Sequence, residues 1–286
     1  MSAPSLPTLL VSHWQLAWSL DLEAGAAAGL YLLAAHQVRG RWPVRRAASF
    51  LAGIATVVVA LQSGVEAFDE QLLSVHMVQH MCLLLVAPLL LLGGQPVILV
   101  LRALRGRRRR SLARVLARAG PFATAPSCLA FFCAVVVLTH VPAFYDATLR
   151  HAVLHDGEHL LYLLAGLLMW WPVVDGDPVG ARRLGAVSRL AYMIVAMAPM
   201  ALVGAYLNRQ PTLVYAPYGS PAHALGISAV VDQAQAGAIM WVGGDTIMVA
   251  VALWAALAAL LAEERRQQAR DARAAIAPAA GRELPG

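Results

Sequence analysis

The chain has no lysine, and charged residues of every kind make up only 13% of its 286 residues. A soluble domain typically carries about 25% charged residues, so this composition argues against a soluble globular protein. Hydrophobic residues supply 59% of the chain, and its mean hydropathy is +0.64. A helix that spans a bilayer needs roughly 20 apolar residues, and the sequence contains seven long apolar segments. The composition therefore predicts an all-α polytopic membrane protein with seven transmembrane helices.

The predicted spans are separated by short polar or arginine-containing connections. They cover residues 22–38, 47–65, 72–94, 122–139, 157–174, 187–207 and 234–261. The third apolar segment continues to residue 101, and Pro88 and Pro96 interrupt this longer stretch, which predicts a helix with a bent extension over 72–101. We expect an outer interfacial segment over residues 1–21, a transmembrane domain over 22–262 and a charged, disordered cytoplasmic tail over 263–286.

All 22 basic residues are arginine, and their distribution predicts the orientation in the membrane. All but Arg150 and Arg209 lie in the connections after predicted spans 1, 3 and 5 or in the C-terminal tail. Cytoplasmic loops carry the excess of basic residues, so we expect the N-terminus outside and the C-terminus in the cytoplasm. The arginine-rich run 105–110 lies between two spans, where anionic lipid headgroups explain it. No nucleic acid binding is expected.

Cysteine is scarce, with Cys82, Cys128 and Cys133 all inside predicted spans and no Cys-x-x-Cys motif. Such residues usually pack as small hydrophobic side chains, although Cys82 lies close enough to His80 in sequence to remain a candidate soft ligand. No nucleophile–base pair, phosphate-binding loop or pair of catalytic carboxylates is apparent. We therefore expect a protein that is not an enzyme.

Two histidine pairs with the same spacing each begin a long apolar run. They are His76 with His80, and His155 with His159. Residues four apart share one face of a helix, with Cβ atoms about 5–6 Å apart, so each pair can reach one metal ion. Ionisable residues at membrane depth are rare and usually functional, and imidazole suits copper, zinc, iron and nickel. The spacing predicts a metal site built from four imidazoles on the outer side.

Further candidate ligands lie on the same predicted side of the membrane. His140 closes predicted span 4 and is a candidate fifth ligand. Met77 and Met81 repeat the four-residue spacing, so they are soft ligands suited to Cu(I) or packing residues of the core. Residues that could lie behind the ligands and orient them through hydrogen bonds are Glu158, Asp232 and Gln233. Asp232 could instead cap a helix.

Three alternatives to a copper-holding protein remain open from the residues alone. Facing histidines could be axial ligands of haem in an electron-transfer protein. A copper transporter would need a polar path into the cytoplasmic half, for which only His36 and Asp245 are available. In a structural scaffold, the histidines would form hydrogen bonds between helices and bind no metal.

Several sequence blocks resemble the CtaG family of multi-spanning cytochrome c oxidase assembly factors. The blocks are HMVQHMCLLLVAP at 76–88, THVPAFY at 139–145, LHDGEH at 154–159, GLLMWWP at 166–172, DQAQAG at 232–237 and MW at 240–241. They occur in the expected order over roughly residues 20–260. Cys82, where an aliphatic residue is expected, and Asp245, in a usually apolar region, depart from the family pattern.

The resemblance implies a seven-span protein of the bacterial plasma membrane that acts as a chaperone for cytochrome c oxidase. Its expected partners are oxidase subunits and membrane lipids, and its expected cargo is copper, as Cu(I), delivered on the outer side. The family's histidines fall on His76, His80, His140, His155 and His159 of this sequence.

Overall fold

The architecture is helical throughout the described residues, which are 13–38, 40–120, 123–174 and 184–276 of a computed structural model. No strand occurs in these ranges. The helices are α1 Trp18–Gln37, α2 Val44–Gln62, α3 Gly64–Asp69, α4 Leu73–Met81, α5 Ala87–Gly93, α6 Pro96–Ala103, α7 Gly106–Ala119, α8 Ala125–Thr139, α9 Pro142–Thr148, α10 Ala152–Trp170, α11 Ala186–Arg209, α12 Gly219–Ala224, α13 Ala229–Ala238 and α14 Gly244–Ile276.

The protein is an all-α polytopic membrane protein, as the composition predicts. By length and composition, four helical stretches of the described chain can cross a membrane: Val44–Gln62, Leu73–Ala103, Val187–Arg209 and Ala229–Ala272. A fifth crossing results if α8 and α9, which meet at a bend of 79°, count as one span. The seven-span count and the orientation stay predictions, with α1 and α10 at the positions predicted for spans 1 and 5.

The boundaries of the predicted segments differ from the helix ends at both ends of the chain, and some predicted residues lie outside the described ones. Helix α1 begins at Trp18, before the boundary predicted at residue 22. Helix α14 runs on to Ile276 and so includes the first part of the predicted tail. Residues 1–12 and 277–286, which complete the predicted end segments, lie outside the described residues, as does residue 122 at the start of predicted span 4.

The third apolar segment is divided by a π-helical turn at Cys82–Val86 between α4 and α5. Pro88 has no backbone N–H to donate to the carbonyl of Leu84, four residues earlier, so the α-helical hydrogen-bond pattern cannot continue there. Gly166 of α10 packs against this turn so closely that a Cβ atom on it would lie 2.1 Å from the Leu84 oxygen. Helix α10 is thereby held directly against the π-helical turn and α5.

The apolar core lies among α4, α5, α8, α10, α11 and α13. Its largest fully buried side chains include Trp170 and Phe132, and Met77 and Met81 belong to the same cluster. Large apolar side chains also cover the outside of the helices; Trp18, for example, is 79% exposed. A lipid-facing surface accounts for these exposed residues.

One end of the helix bundle, which we call the histidine end, contains both predicted histidine pairs. Helices α4 and α10 both start at this end, and α3 connects α2 to α4 there. The Gln62 amide donates to Asp21 Oδ1 at 2.9 Å, which ties the start of α1 to the end of α2. The arginine-rich helix α7 follows α4, the π-helical turn, α5 and α6 and so lies towards the opposite end.

Candidate metal centre

The packing of α10 against α4 brings the two histidine pairs together in the interior. The Nε2 atoms of His76 and His80 lie 2.7 Å apart. The ring centroids of His155 and His159 are 4.4 Å apart, and those of His76 and His155 are 5.4 Å apart. All four side chains are buried. The i, i+4 spacing therefore places each pair on the face of its helix that meets the other pair.

Two carboxylates complete sets of three candidate ligands around His76. Asp69, His76 and His155 form one set, and His76, His80 and Glu158 form the other. Within each set, the ligand atoms all lie within 4.8 Å of one another, and every member is buried. Glu158 was expected behind the ligands, but its carboxylate lies among them. Asp69 was not anticipated from the sequence.

Several of these ligand atoms are buried and have no hydrogen-bond partner. They are Asp69 Oδ2, His80 Nδ1, His155 Nε2 and both carboxylate oxygens of Glu158. Two of them, His155 Nε2 and Asp69 Oδ2, lie 3.5 Å apart. A buried polar group without a partner costs about 1–3 kcal/mol. A cation bound among these atoms would remove that cost, so the donor set fits a metal ion.

His159 borders the cluster and belongs to neither ligand set. Its Nε2 atom donates to Gln79 Oε1 at 3.0 Å. The Gln79 amide in turn donates to the carbonyl of Ala60 at 3.0 Å and to Glu66 Oε2 at 2.6 Å. Because Nε2 of His159 carries the proton, Nδ1 is the ring nitrogen that has a lone pair.

His140 lies at the bend between α8 and α9 and also belongs to neither ligand set. Its Nδ1 atom donates to the Val136 carbonyl at 2.7 Å, and its Nε2 atom is buried without a partner. Tyr145 separates it from the cluster, with ring centroids 6.1 Å from His140 and 5.3 Å from His76. The unpartnered Nε2 keeps His140 available as an additional donor.

Buried tyrosines form part of the wall around the histidines. The Tyr218 hydroxyl lies 3.0 Å from His76 Nδ1. The ring of Tyr162 stacks on His80 with centroids 4.1 Å apart. Tyr218 lies between α11 and α13, far from the histidines in sequence, and no motif marks it. Only the path of this connection brings it to the site.

Asp232 and Gln233 support the elements that carry the site. Asp232 accepts hydrogen bonds from the Ser74 hydroxyl and, at 2.7 Å, from the backbone N–H of Leu73, so it caps the start of α4. Gln233 accepts from the Val214 N–H at 2.7 Å and donates to the Thr212 carbonyl at 3.1 Å. These bonds anchor the connection that leads to Tyr218.

The remaining candidates from the sequence lie in the apolar core, in the π-helical turn and on α14. Met77 and Met81 pack in the apolar cluster. Cys82 is half-buried in the π-helical turn and belongs to neither ligand set. Asp245 lies on α14, with one carboxylate oxygen buried and without a partner.

The short helix α3, which lies outside the membrane-spanning stretches, brings two acids to the cluster. Burial raises the pKa of Glu66 to about 7, and the hydrogen bond from Gln79 opposes that rise. Burial, followed by repulsion from Glu66, raises the pKa of Asp69 to about 8. A cation beside Asp69 would favour the ionised carboxylate in place of the protonated one. The same residues therefore provide both a proton site and a ligand.

A groove of about 780 Å³ runs along α1, α2 and α10. Most of its wall is apolar, with residues such as Phe50, Leu83 and Leu163. Its polar residues include Glu23, Asp156, Glu66 and His159. Since His159 also borders the metal centre, the groove reaches the cluster from the side of the bundle.

The family model for the cytochrome c oxidase caa3 assembly factors matches residues 29–261. The chain belongs to this family. The match covers the whole metal centre, including Asp69 and Glu158. The CtaG resemblance predicted from the histidine blocks is thereby confirmed.

Similar chains occur in mycobacteria. Uncharacterised proteins of Mycobacterium bovis and Mycobacterium tuberculosis are each 32% identical over 279 residues, which is 92% of this chain and 41% of theirs. An uncharacterised protein of Mycobacterium leprae is 28% identical over 272 residues, or 89% of this chain and 40% of its own. The chain therefore spans about two fifths of the length of the curated relatives it matches. No solved structure matches it.

Proposed function

We propose that this protein assists the assembly of cytochrome c oxidase by holding copper at the buried histidine cluster and passing it to an oxidase subunit. The role is non-catalytic, because copper enters and leaves by exchange of ligands. The site lies at the histidine end, which the arginine distribution predicts to face the exterior of a bacterial plasma membrane. Family membership supports the oxidase as the recipient.

The observation that carries the proposal is the convergence of buried, unpartnered donors around His76. Two further imidazoles, those of His80 and His155, and two carboxylates, those of Asp69 and Glu158, lie around this residue. Two imidazole nitrogens that bind one metal at about 2.0–2.1 Å lie about 3 Å apart. The separation of 2.7 Å between Nε2 of His76 and Nε2 of His80 is close to this value. The pair therefore needs little movement to bind an ion.

Copper is the cargo that fits both the donor set and the family. Imidazole suits copper, and a carboxylate supplies the negative charge that a buried cation requires. His159, through Nδ1, and His140, through Nε2, offer further nitrogen donors at the edge of the cluster. Such edge donors are suited to a ligand-exchange step in which copper moves towards a recipient.

Copper content of the full chain, purified in detergent and loaded with Cu(I), tests the proposal. We expect about one copper per chain, and at least about a tenfold loss in the double variant His76→Ala/His80→Ala. His151→Ala is the matched control, because His151 immediately precedes α10, four residues before His155, and is exposed. It should retain the wild-type copper content.

The same variants should differ in oxidase activity when they are expressed in cells that depend on the chain for oxidase assembly. The double variant should lose oxidase activity, and His151→Ala should keep it. Wild-type copper content together with full oxidase activity in the double variant would contradict the proposed site. A Soret band in the purified protein would favour haem as the bound group instead.

A further inference from the structure

We propose that the metal centre holds one cation at a time and that this cation moves between two adjacent positions that share His76. The outer position consists of Asp69, His76 and His155. The inner position consists of His76, His80 and Glu158. The inference rests on the proposed function, since it takes copper as the cation, and it assigns a pathway to the ion within the site.

The two positions differ in every ligand except His76, because Asp69 comes from α3 and the other ligands come from successive turns of α4 and α10. Each set is compact, with its ligand atoms within 4.8 Å of one another, and only His76 occurs in both. His80 lies one turn beyond His76 on α4, and Glu158 lies almost one turn beyond His155 on α10. At 1.5 Å per residue, the Cα atoms of His80 and Glu158 lie about 5 Å farther along their helices than those of His76 and His155.

Asp69 makes the outer position the one that an arriving ion meets first. It lies at the end of α3, outside the membrane-spanning stretches and next to the exposed residue Glu70. Its Oδ1 atom accepts from the backbone N–H of Glu70 at 2.6 Å, whereas Oδ2 has no hydrogen-bond partner. The free oxygen lies 3.5 Å from His155 Nε2. These two atoms can capture a cation before it reaches His80.

Because both positions use His76, a cation can occupy only one of them at a time. A neutral imidazole has one protonated and one unprotonated ring nitrogen, so His76 binds one cation at a time. A cation that moves inward keeps His76 and exchanges Asp69 and His155 for His80 and Glu158. Only coordination bonds form and break in this step, and the oxidation state of the metal does not change.

Each position also has its own negative charge. Asp69 supplies it at the outer position, and Glu158 supplies it at the inner one. A buried cation without an opposite charge is strongly disfavoured, so imidazoles alone would hold it weakly. One carboxylate in each set allows the ion to remain paired at both ends of the step.

The rates of copper uptake and release by the full chain in detergent test this inference. Cu(I) is presented as a complex with a coloured chelator, and the loss of colour reports uptake. Excess chelator then reports release. Asp69→Asn should slow uptake by about tenfold and still reach one copper per chain. Glu158→Gln should take up copper at the wild-type rate and release it about tenfold faster.

Glu70→Gln is the control for both variants, because it removes an exposed carboxylate next to Asp69. Its uptake and release rates should equal those of the wild type. The final copper content of Asp69→Asn also reports whether that variant is folded, since an unfolded chain would not reach one copper per chain.

Four results would overturn the inference. Equal losses of affinity in both carboxylate variants, with uptake rates unchanged, would indicate a single site that uses all five residues. Two copper ions in each wild-type chain would show that His76 does not make the positions alternatives. A wild-type chain that takes up no copper would overturn the proposed function as well. Carboxylate variants that bind copper with wild-type uptake and release rates would overturn this inference alone.

Discussion

At the scale of single residues, Gln79 joins three polar groups beside the metal centre. Its amide contacts the Ala60 carbonyl, the Glu66 carboxyl and the His159 ring. This arrangement fixes which nitrogen of His159 carries the proton. It also places Glu66, whose pKa is raised by burial, one side chain away from the cluster.

Replacement of Glu66 by glutamine should change the pH dependence of stability in the metal-free protein. The raised pKa of about 7 means that the folded state keeps a proton that the unfolded chain loses above its ordinary value of 4.5. The stabilisation is complete below the unfolded pKa and is lost as the pH rises through about 7. Glu66→Gln cannot ionise, so its Tm should fall less than that of the wild type between about pH 5 and pH 8.

Thermal unfolding in detergent with a metal chelator measures this difference. Glu70→Gln, which removes a neighbouring exposed carboxylate, should follow the wild-type curve. Parallel pH profiles for Glu66→Gln and the wild type would contradict the assignment of the raised pKa to Glu66.

The candidate histidines could be predicted from the sequence, whereas one of their acidic ligands could not. The four-residue spacing of His76 and His80 determines that they share a helix face. Asp69 lies in a separate short helix, and its approach to His155 depends on the turn between α3 and α4. Spacing carries no information about such a turn, so the contact emerges only in the folded chain.

At the scale of helices, the contact between α10 and the π-helical turn aligns the two halves of the metal centre. Gly166→Ala should force these elements apart, because the added Cβ would lie 2.1 Å from the Leu84 oxygen and 2.6 Å from Pro88 Cγ. We expect a loss of about 1–3 kcal/mol in the free energy of unfolding. We also expect weaker copper binding, since α4 and α10 each supply ligands.

Gly157→Ala on the same helix is the matched control. A Cβ at Gly157 meets no atom within 4 Å. Alanine favours a helix over glycine by about 0.5–1 kcal/mol, so this variant should be as stable as the wild type or slightly more stable. Equal Tm values for the two alanine variants in detergent would contradict the close packing of α10 at Gly166.

The positions of the helices could be predicted from the sequence more easily than the points at which a helix is interrupted. The apolar segments coincide with helices of the described chain, because long apolar runs leave few other ways to satisfy the backbone in a membrane. Pro88 indicated an interruption of the third segment, but it did not specify a π-helical turn. In the folded chain, Gly166 of another helix packs against this turn, a contact that the sequence of the span does not indicate.

At the scale of the whole molecule, the arginine-rich helix α7 and the candidate metal centre lie towards opposite ends of the bundle. The exposed residue Arg150 lies between α9 and α10, at the histidine end, and the exposed residue Arg109 lies on α7. We expect the histidine end to face the exterior, since basic residues favour the cytoplasm.

Single cysteine substitutions test this orientation in intact cells. Arg150→Cys should react with a thiol reagent that cannot cross the membrane, whereas Arg109→Cys should react only after the cells are permeabilised. The unsubstituted chain is the control for its three native cysteines, which are buried or half-buried. The reverse labelling pattern would place the metal centre on the cytoplasmic side.

The π-helical turn at Cys82–Val86 also determines how the two halves of one span are rotated relative to each other about the helix axis. A π-helical turn contains one residue more than the α-helical turn that it replaces. If the same residues formed a regular α-helix, the first half would be rotated by about 100° relative to the second. His76 and His80 would then point away from α10 although every ligand remained in the sequence. The wide turn thus accommodates the extra residue without rotating the two halves out of register. One half of the span can then pack against α10 while His76 and His80 of the other half also face that helix.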